Sequence, residues 1–146
     1  MREEWTDTGE IERELDDTRF RLDDTVGALQ QKLAPGTMVD QAVDTFGRID
    51  IVVNNAGFLR RRPFLDHTPE MVRDIMSVHL LGSYFVSQAA FAAMVEQEYG
   101  RFVFTSSPGG TRGNPWVTAY GAAKGGVIGL AQAVALAGEP HGIKAN

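Results

Sequence analysis

A tyrosine and a lysine, Tyr120 and Lys124, stand four residues apart in a stretch rich in alanine and glycine. Residues at this spacing share one face of a helix, so the two side chains are expected to be neighbours. An ammonium group beside a phenol favours the phenolate, which makes tyrosine usable as a proton donor or acceptor closer to neutral pH. The pair alone does not define a site, because the same spacing also describes a solvated helix pair.

Two polar segments upstream each follow an apolar run. Ser106 and Ser107 follow residues 102–104, and Ser107 lies thirteen residues before the tyrosine. Residues 49–53 are followed by the segment Asn54-Asn55-Ala56-Gly57. Apolar runs rich in branched residues are typical of parallel strands buried on both faces, and ligands bind at the carboxyl ends of such strands. Taken singly, each polar segment also fits an ordinary strand-ending turn or cap.

In this order and spacing, the segments resemble the short-chain dehydrogenase/reductase family, whose members move a hydride between NAD or NADP and a carbonyl or alcohol. The resemblance covers roughly residues 38–146 and implies an α/β fold, a partial Rossmann-like doubly wound parallel sheet. It implies that Tyr120 exchanges the proton of the substrate oxygen, Ser107 hydrogen-bonds that oxygen, and Lys124 binds the nicotinamide ribose. The cofactor-binding residues that it implies are Asn54, Asn55, Ala56, Gly57, Ser106, Tyr120 and Lys124.

His79 stands where the family has a fourth catalytic residue, an asparagine. A neutral imidazole offers one donor and one acceptor, which suits it to hold the water of a proton relay. This histidine and the segment of residues 54–62 resemble the branch that includes the (3R)-hydroxyacyl-CoA dehydrogenase units of peroxisomal multifunctional enzymes. That resemblance implies a small-molecule substrate with a hydroxyl or carbonyl group, for which a 3-hydroxyacyl-CoA is one candidate. Taken alone, His79 also fits a packed helix residue.

The basic cluster Arg60-Arg61-Arg62 predicts either a mouth that attracts an anionic substrate, such as a CoA thioester, or a solvated loop.

The net charge of −5 arises in residues 1–36, which carry ten acids and five bases, whereas the rest of the chain carries nine of each. Because no basic stripe exists, we expect no nucleic-acid partner. No apolar run approaches the roughly 20 residues of a membrane span, so we expect no membrane partner. The absence of cysteine fits a cytoplasmic location.

Apolar side chains recur at helical spacing over residues 9–33, and Pro35-Gly36 ends the predicted helix. The pattern fits an amphipathic helix that covers apolar surface, a self-associating coiled coil or a disordered leader. Together with the charge, it predicts an acidic amphipathic helical leader over residues 1–36 and a partial Rossmann domain over residues 37–146. The leader has no counterpart that we identify in the family.

Alternating strand and helix patterns predict two parallel strands, near residues 49–54 and 101–106. Helices are predicted over residues 38–46 and 118–138, with a Gly-rich loop from Pro108 to Asn114. A long helix is predicted to start with Thr68 as its N-cap and Pro69 at its first position, and to end near Gly100. The apolar face predicted for this helix consists of Met71, Ile75, Val78, Phe85, Val86, Ala89 and Ala93.

The sequence contains no Gly-rich dinucleotide-binding turn of the family's kind, and residues 142–146 look like the start of a further strand. We therefore expect a truncated oxidoreductase that has little dehydrogenase activity alone. The family usually dimerises through the helices that correspond to residues 69–98 and 118–138, which predicts a possible homo-oligomer. The alternative is a non-catalytic fragment of the family that at most self-associates.

Overall fold

A three-stranded parallel sheet forms the centre of the fold. The computed structural model describes residues 35–146, so most of the predicted leader lies outside the described residues. The strands are β1 (Ile51–Asn54), β2 (Gly100–Phe104) and β3 (Ile143–Ala145), and they lie side by side in that order. Both pairings are parallel. The prediction of a parallel α/β fold is confirmed, and β3 lies within residues 142–146, which look like the start of a further strand in the sequence.

Five α-helices accompany the sheet among the described residues: α1 (Pro35–Phe46), α2 (Pro69–Met76), α3 (Gly82–Glu96), α4 (Pro108–Arg112) and α5 (Thr118–Gly138). A π-helical turn, Ser77–Leu81, joins α2 to α3. Short 3-10 turns span Phe64–Asp66 and Glu139–His141. The predicted bounds of α5 are confirmed, whereas the predicted Gly-rich loop after β2 contains α4.

The first described helix, α1, begins three residues earlier than predicted. Proline has no N–H to satisfy, so Pro35 is well tolerated in the first turn. The helix ends at Phe46, and the next residue, Gly47, has a φ of 78° and donates its N–H to the Val43 carbonyl at 2.7 Å. The boundary predicted near Pro35-Gly36 therefore falls inside the first turn of α1.

The main core lies between one face of the sheet and helices α1, α3 and α5. Its buried residues are Val39, Val52, Ala90, Met94, Phe102, Phe104, Val127 and Ile143. On the other face, Ile51 and Val53 are 58% and 60% exposed, and Val103 is also exposed. The prediction that these strands are buried on both faces is therefore wrong within residues 35–146, because the side chains alternate and the described helices cover one face.

The long helical stretch buries the predicted face only in part: Ile75 is buried, and Met71, Val86 and Ala89 are partly buried against the core. Val78 and Phe85 are exposed, and the buried face consists of Ile75, His79, Ser83, Ser87, Ala90 and Met94. The π-helical turn between α2 and α3 accommodates an extra residue, which shifts the phase of everything after it. The buried serines are paired: Ser83 Oγ donates to the His79 carbonyl at 2.8 Å, and Ser87 Oγ accepts from Asn54 Nδ2 at 2.9 Å.

Two helical stretches, Pro69–Glu96 and Thr118–His141, are long and apolar enough to cross a membrane by length and composition alone. Core helices of soluble proteins meet the same criterion, and both stretches contact the sheet here. This property is weak evidence for a membrane span.

Candidate functional site

A cavity of about 280 Å³ opens beyond the carboxyl ends of β1 and β2. Its lining residues are Asn55, Gly57, Phe58, Leu59, His79, Thr105, Tyr120 and Lys124. Five of these were predicted as site residues from the sequence. The location follows from the topology, because parallel strands bring their carboxyl ends to one edge of the sheet.

A second, smaller core fixes the helix that carries the tyrosine. Ile75 of α2 packs against Ala119 and Ala123 of α5, and all three are buried. Phe58 and Tyr120 are partly buried against the same cluster. The start of α2 is fixed as predicted, since Thr68 Oγ1 accepts the Met71 N–H at 3.3 Å and Pro69 takes the first helical position. Tyr120 is therefore held in place by packing against this cluster.

Lys124 is buried, with 4% of its surface exposed. Its Nζ donates to the Thr105 carbonyl at 2.5 Å and lies 5.7 Å from the centroid of the Tyr120 ring. Burial lowers the pKa of this lysine from its ordinary value, because desolvation penalises the charged form. The predicted i,i+4 pair is therefore in place, with the lysine head tied to the end of β2.

His79 also contacts the Tyr120 ring. The two ring centroids are 5.1 Å apart in an edge-to-face arrangement, and the imidazole is 2% exposed. Its Nε2 lies 2.7 Å from the carbonyl oxygen and 3.1 Å from the amide nitrogen of Phe58. Burial lowers the pKa of His79 below its usual 6.5, the Phe58 hydrogen bond opposes this, and the charge of Lys124 lowers it further. The imidazole is therefore neutral at neutral pH.

Ser107 is the N-cap of α4, and its Oγ accepts the Gly109 N–H at 3.2 Å. A Cβ placed on Gly109 would be 3.6 Å from Ser107 Oγ and 3.8 Å from the Tyr120 ring, so these two side chains lie on the same side of the molecule. The backbones of α4 and α5 touch directly, since a Cβ on Gly110 would be 2.7 Å from Gly125 N. The small residues of α5 serve this close approach.

The other predicted cofactor residues occupy different surroundings. Ser106 Oγ donates to the Lys124 carbonyl at 2.9 Å, which ties the end of β2 to α5. Asn54 is buried, and its bond to Ser87 ties β1 to α3. Ala56 is exposed. Asn54, Ala56, Ser106 and Ser107 are not among the residues that line the cavity, whereas Asn55 and Gly57 are.

Three lining residues, Phe58, Leu59 and Thr105, were not singled out from the sequence. Thr105 supplies the carbonyl that holds Lys124, and Phe58 supplies the backbone that holds His79. Both follow the end of a strand closely, so the rule that ligands bind at carboxyl strand ends was the signal that could have found them. Because both residues contribute backbone atoms, which every residue has, their residue types do not reveal these contacts.

The arginine cluster lies in the loop that continues from the cavity wall. Arg60 pairs with Asp74 at 3.2 Å and places its guanidinium 5.1 Å from the Phe58 ring centroid. Arg62 donates its backbone N–H to the Trp116 carbonyl at 2.9 Å, which connects this loop to the segment before α5. The side chains of Arg61 and Arg62 are exposed and form no ion pair with residues 35–146.

The fold is an α/β arrangement with a parallel sheet, and a tyrosine, a buried lysine and a serine lie beyond its strand ends. The family model for short chain dehydrogenase matches residues 7–146. The chain belongs to the short-chain dehydrogenase family. The match takes in most of the acidic leader, for which the sequence alone offered no counterpart.

Individual relatives agree with this family. Peroxisomal multifunctional enzyme type 2 of Mus musculus is 47% identical over 109 residues, which are 75% of this chain and 15% of the mouse protein. The Drosophila melanogaster enzyme of the same name is 38% identical over 132 residues, 90% of this chain and 22% of that protein. The structure of NAD+-bound xylitol dehydrogenase matches with a TM-score of 0.75 and 35% identity, covering 77% of this chain and 44% of that one. The chain spans less than half the length of these relatives.

Proposed function

We propose that this chain carries the proton-transfer site of an NAD(P)-dependent oxidoreductase that acts on the hydroxyl or carbonyl group of a 3-hydroxyacyl-CoA. The observation that supports this most is the grouping of Tyr120, Lys124 and Ser107 beyond the carboxyl ends of β1 and β2. Tyr120 gives or takes the proton of the substrate oxygen. Ser107 Oγ accepts one hydrogen bond from Gly109, which leaves its own hydrogen for the substrate oxygen.

The residues present fit the nicotinamide ribose of NAD or NADP. An ammonium group has three donors, and Lys124 uses one of them on the Thr105 carbonyl, so the others are available to ribose hydroxyls. Asn55 and Gly57 form the wall beside it. When bound, the nicotinamide supplies or accepts the hydride. The protein residues hold the two reactants and move the proton.

Two observations support an acyl-CoA as the substrate. The exposed guanidinium groups of Arg61 and Arg62 continue the loop from cavity residue Leu59, and a cationic loop suits the phosphates of CoA. A relative from Saccharomyces cerevisiae, 39% identical over 109 residues, is named peroxisomal hydratase-dehydrogenase-epimerase. The chain covers 12% of that relative, so the activity of the whole protein remains part of the proposal.

A second candidate function is self-association without catalysis. Its support is the apolar surface on the outer side of the long helical stretch, where Val78, Leu81, Tyr84 and Phe85 are 38–49% exposed. A groove between α3 and α5, also of about 280 Å³, continues this surface. Exposed apolar surface of this kind marks protein–protein contacts, and a second copy of the chain is the occupant that we propose.

Calorimetric titration of the purified chain with NADH and NADPH separates the two candidates. A nucleotide affinity that Lys124→Met weakens at least tenfold, together with turnover of a 3-hydroxyacyl-CoA, supports the oxidoreductase. Sedimentation velocity over a range of concentrations measures association in the same samples. A dimer that binds neither nucleotide at millimolar concentration contradicts the oxidoreductase and supports the non-catalytic candidate.

A further inference from the structure

Two consecutive residues at the end of β2 bind the two ends of one lysine. The Thr105 carbonyl accepts the ammonium of Lys124 at 2.5 Å, and Ser106 Oγ donates to the backbone carbonyl of Lys124 at 2.9 Å. Lys124 lies in the interior of α5, where each carbonyl accepts a backbone N–H from the residue four positions further on. The bond from Ser106 is therefore additional to those of the helix, and it fixes the lysine backbone to the end of the strand.

The backbone of Lys124 is also held from the side of α4. A Cβ on Gly110 would lie 2.7 Å from the Lys124 carbonyl carbon and 3.0 Å from its oxygen, so the two backbones are in direct contact. The lysine side chain is buried, which leaves it little room to compensate for a shift of its own backbone. A displacement of the Lys124 carbonyl would therefore also displace the ammonium.

The hydroxyl of Ser106 lies apart from the cavity that Tyr120 and Lys124 line. Ser106 is not among the lining residues of that cavity, and it lines a separate groove of about 330 Å³ together with Val127 and Ile128 of α5. The next residue, Ser107, caps α4 instead and lies on the same side of the molecule as Tyr120. The two adjacent serines therefore have different partners.

We propose that Ser106 is a positioning residue whose hydroxyl fixes the Lys124 backbone, so that the ammonium reaches the Thr105 carbonyl beside the Tyr120 ring. In this role Ser106 contacts neither substrate nor nucleotide and acts only through Lys124. The inference rests on the proposed function for the role of Lys124 at the nicotinamide ribose. The placement of the ammonium can be measured without it.

Nuclear magnetic resonance of the lysine side chains measures this placement in the absence of any ligand. The chain has two other lysines, Lys32 and Lys144, and the signals of Lys124 are those that disappear in Lys124→Met. Burial lowers the pKa of Lys124, so an ammonium released from Thr105 into the open cavity should titrate closer to the ordinary lysine pKa. We expect this change in Ser106→Ala.

Two further variants show whether the hydroxyl is the cause. Ser106→Thr keeps the donor, and the groove beside it has room for the added methyl group, so Lys124 should titrate as in the wild type. Thr45→Ala removes a hydroxyl-to-carbonyl hydrogen bond of 2.6 Å on α1 and should leave Lys124 unchanged. A Lys124 titration that is identical in the wild type and Ser106→Ala would overturn the proposal. So would a Ser106→Thr variant that titrates like Ser106→Ala.

Nucleotide affinity shows whether Ser106 acts through Lys124. In calorimetric titrations with NADH and NADPH, Ser106→Ala should weaken binding about three- to tenfold, the size of one weakened hydrogen bond. In a Lys124→Met background the same change should have no further effect on affinity. Its effect on the urea midpoint should persist there, because the serine binds the backbone of residue 124. A further loss of affinity in that background would contradict the proposal.

The two sets of results separate this inference from the function on which it rests. If the lysine titrations are as expected and the wild type binds no nicotinamide nucleotide, the proposed function fails and the positioning stands. If nucleotide binds and Ser106→Ala changes neither the affinity nor the titration, the positioning fails and the proposed function stands. Should Ser106→Ala not fold, Ser106→Cys takes its place, since it keeps the shape of serine and is only a weak donor.

Discussion

Gly57 and His79 fit each other at a distance that excludes any side chain on the glycine. A Cβ on Gly57 would lie 2.1 Å from Cε1 and 2.6 Å from Nδ1 of the imidazole. The histidine cannot move away easily, because it is buried and also contacts the Tyr120 ring. The residue types at positions 57 and 79 therefore depend on each other.

Gly57→Ala is expected to destabilise the chain by about 2 kcal/mol, in the range of overpacked buried sites, because the methyl group must displace the imidazole. In a His79→Ala background the space is empty, so the same substitution should cost much less. The measurement is the free energy of unfolding in urea for the four members of this double-mutant cycle. Gly129→Ala is the control, since a Cβ at Gly129 meets nothing within 4 Å. Equal costs in both backgrounds would show that the two residues are independent.

The buried imidazole should make stability depend on pH below 6.5. The folded chain holds the pKa of His79 below 6.5, whereas the unfolded chain has the ordinary value, so the unfolded chain binds more protons as pH falls. The contribution is complete above pH 6.5 and is lost as pH decreases toward the folded pKa. Lys124 and Tyr120 on α5, and Arg60 beyond the Phe58 ring with its partner Asp74, are the ionisable groups around it.

Urea midpoints between pH 5.5 and 7.5 measure this dependence. His79→Asn and His79→Leu should both flatten the slope, although they differ in stability at pH 7. Because slopes are compared, a loss of packing in either variant does not affect the result. A slope that is identical in the wild type and both variants would assign the pH dependence to other groups.

Residue type and spacing predicted the parts of the fold that depend on local chemistry. The cap Thr68, the first-turn Pro69 and the bounds of α5 are local signals, and the structure confirms them. The parallel pairing of β1 and β2 follows from the alternation of elements. The i,i+4 spacing also brought Tyr120 and Lys124 into one cavity.

Other features depend on contacts that a sequence pattern does not contain. The exposure of Val78 and Phe85 was missed because one π-helical turn shifts the helix phase, and no residue type signals such a turn. The burial of His79 and Lys124 is decided by backbone carbonyls of Phe58 and Thr105, which any residue supplies. The capping of α4 by Ser107 was weighed from the sequence only as a general possibility.

Gly109 and Gly110 are neighbours in α4 that should respond differently to alanine. A Cβ on Gly110 would lie 2.7 Å from Gly125 N and from the carbonyl carbon of Lys124, which are backbone atoms that cannot rotate away. A Cβ on Gly109 has neighbours at 3.6 and 3.8 Å, which are ordinary contacts. We expect Gly110→Ala to cost about 1–3 kcal/mol of unfolding free energy, whereas Gly109→Ala is near neutral.

The two substitutions carry the same gain in helix propensity, so their difference isolates the contact between α4 and α5. Thermal or urea unfolding of both variants is the measurement. If Gly109→Ala proved the more destabilising, the direct backbone contact of Gly110 with α5 would be contradicted.

Lys124 should reduce stability while serving the site. Its ammonium is buried. Among the described residues it has one hydrogen-bond acceptor, the backbone carbonyl of Thr105. Lys124→Met removes the buried charge and keeps a chain of similar length, so we expect a higher urea midpoint at pH 7. Nicotinamide nucleotide binding should fall at least tenfold in the same variant. A lower midpoint would show that the bond to Thr105 outweighs the cost of burial.

Tyr120→Phe should separate proton transfer from every other property of the site. The phenol oxygen makes no hydrogen bond with residues 35–146, so its removal leaves the packing against His79 and the fold unchanged. General acid–base groups contribute about 10²- to 10⁴-fold to rate, and kcat with a 3-hydroxyacyl-CoA should fall by that factor while nucleotide affinity stays within about twofold. Tyr84→Phe, which removes the hydroxyl of an exposed tyrosine on α3, is the matched control and should retain full turnover. A Tyr120→Phe enzyme that turns over at the rate of the control would exclude the phenol as the group that exchanges the substrate proton.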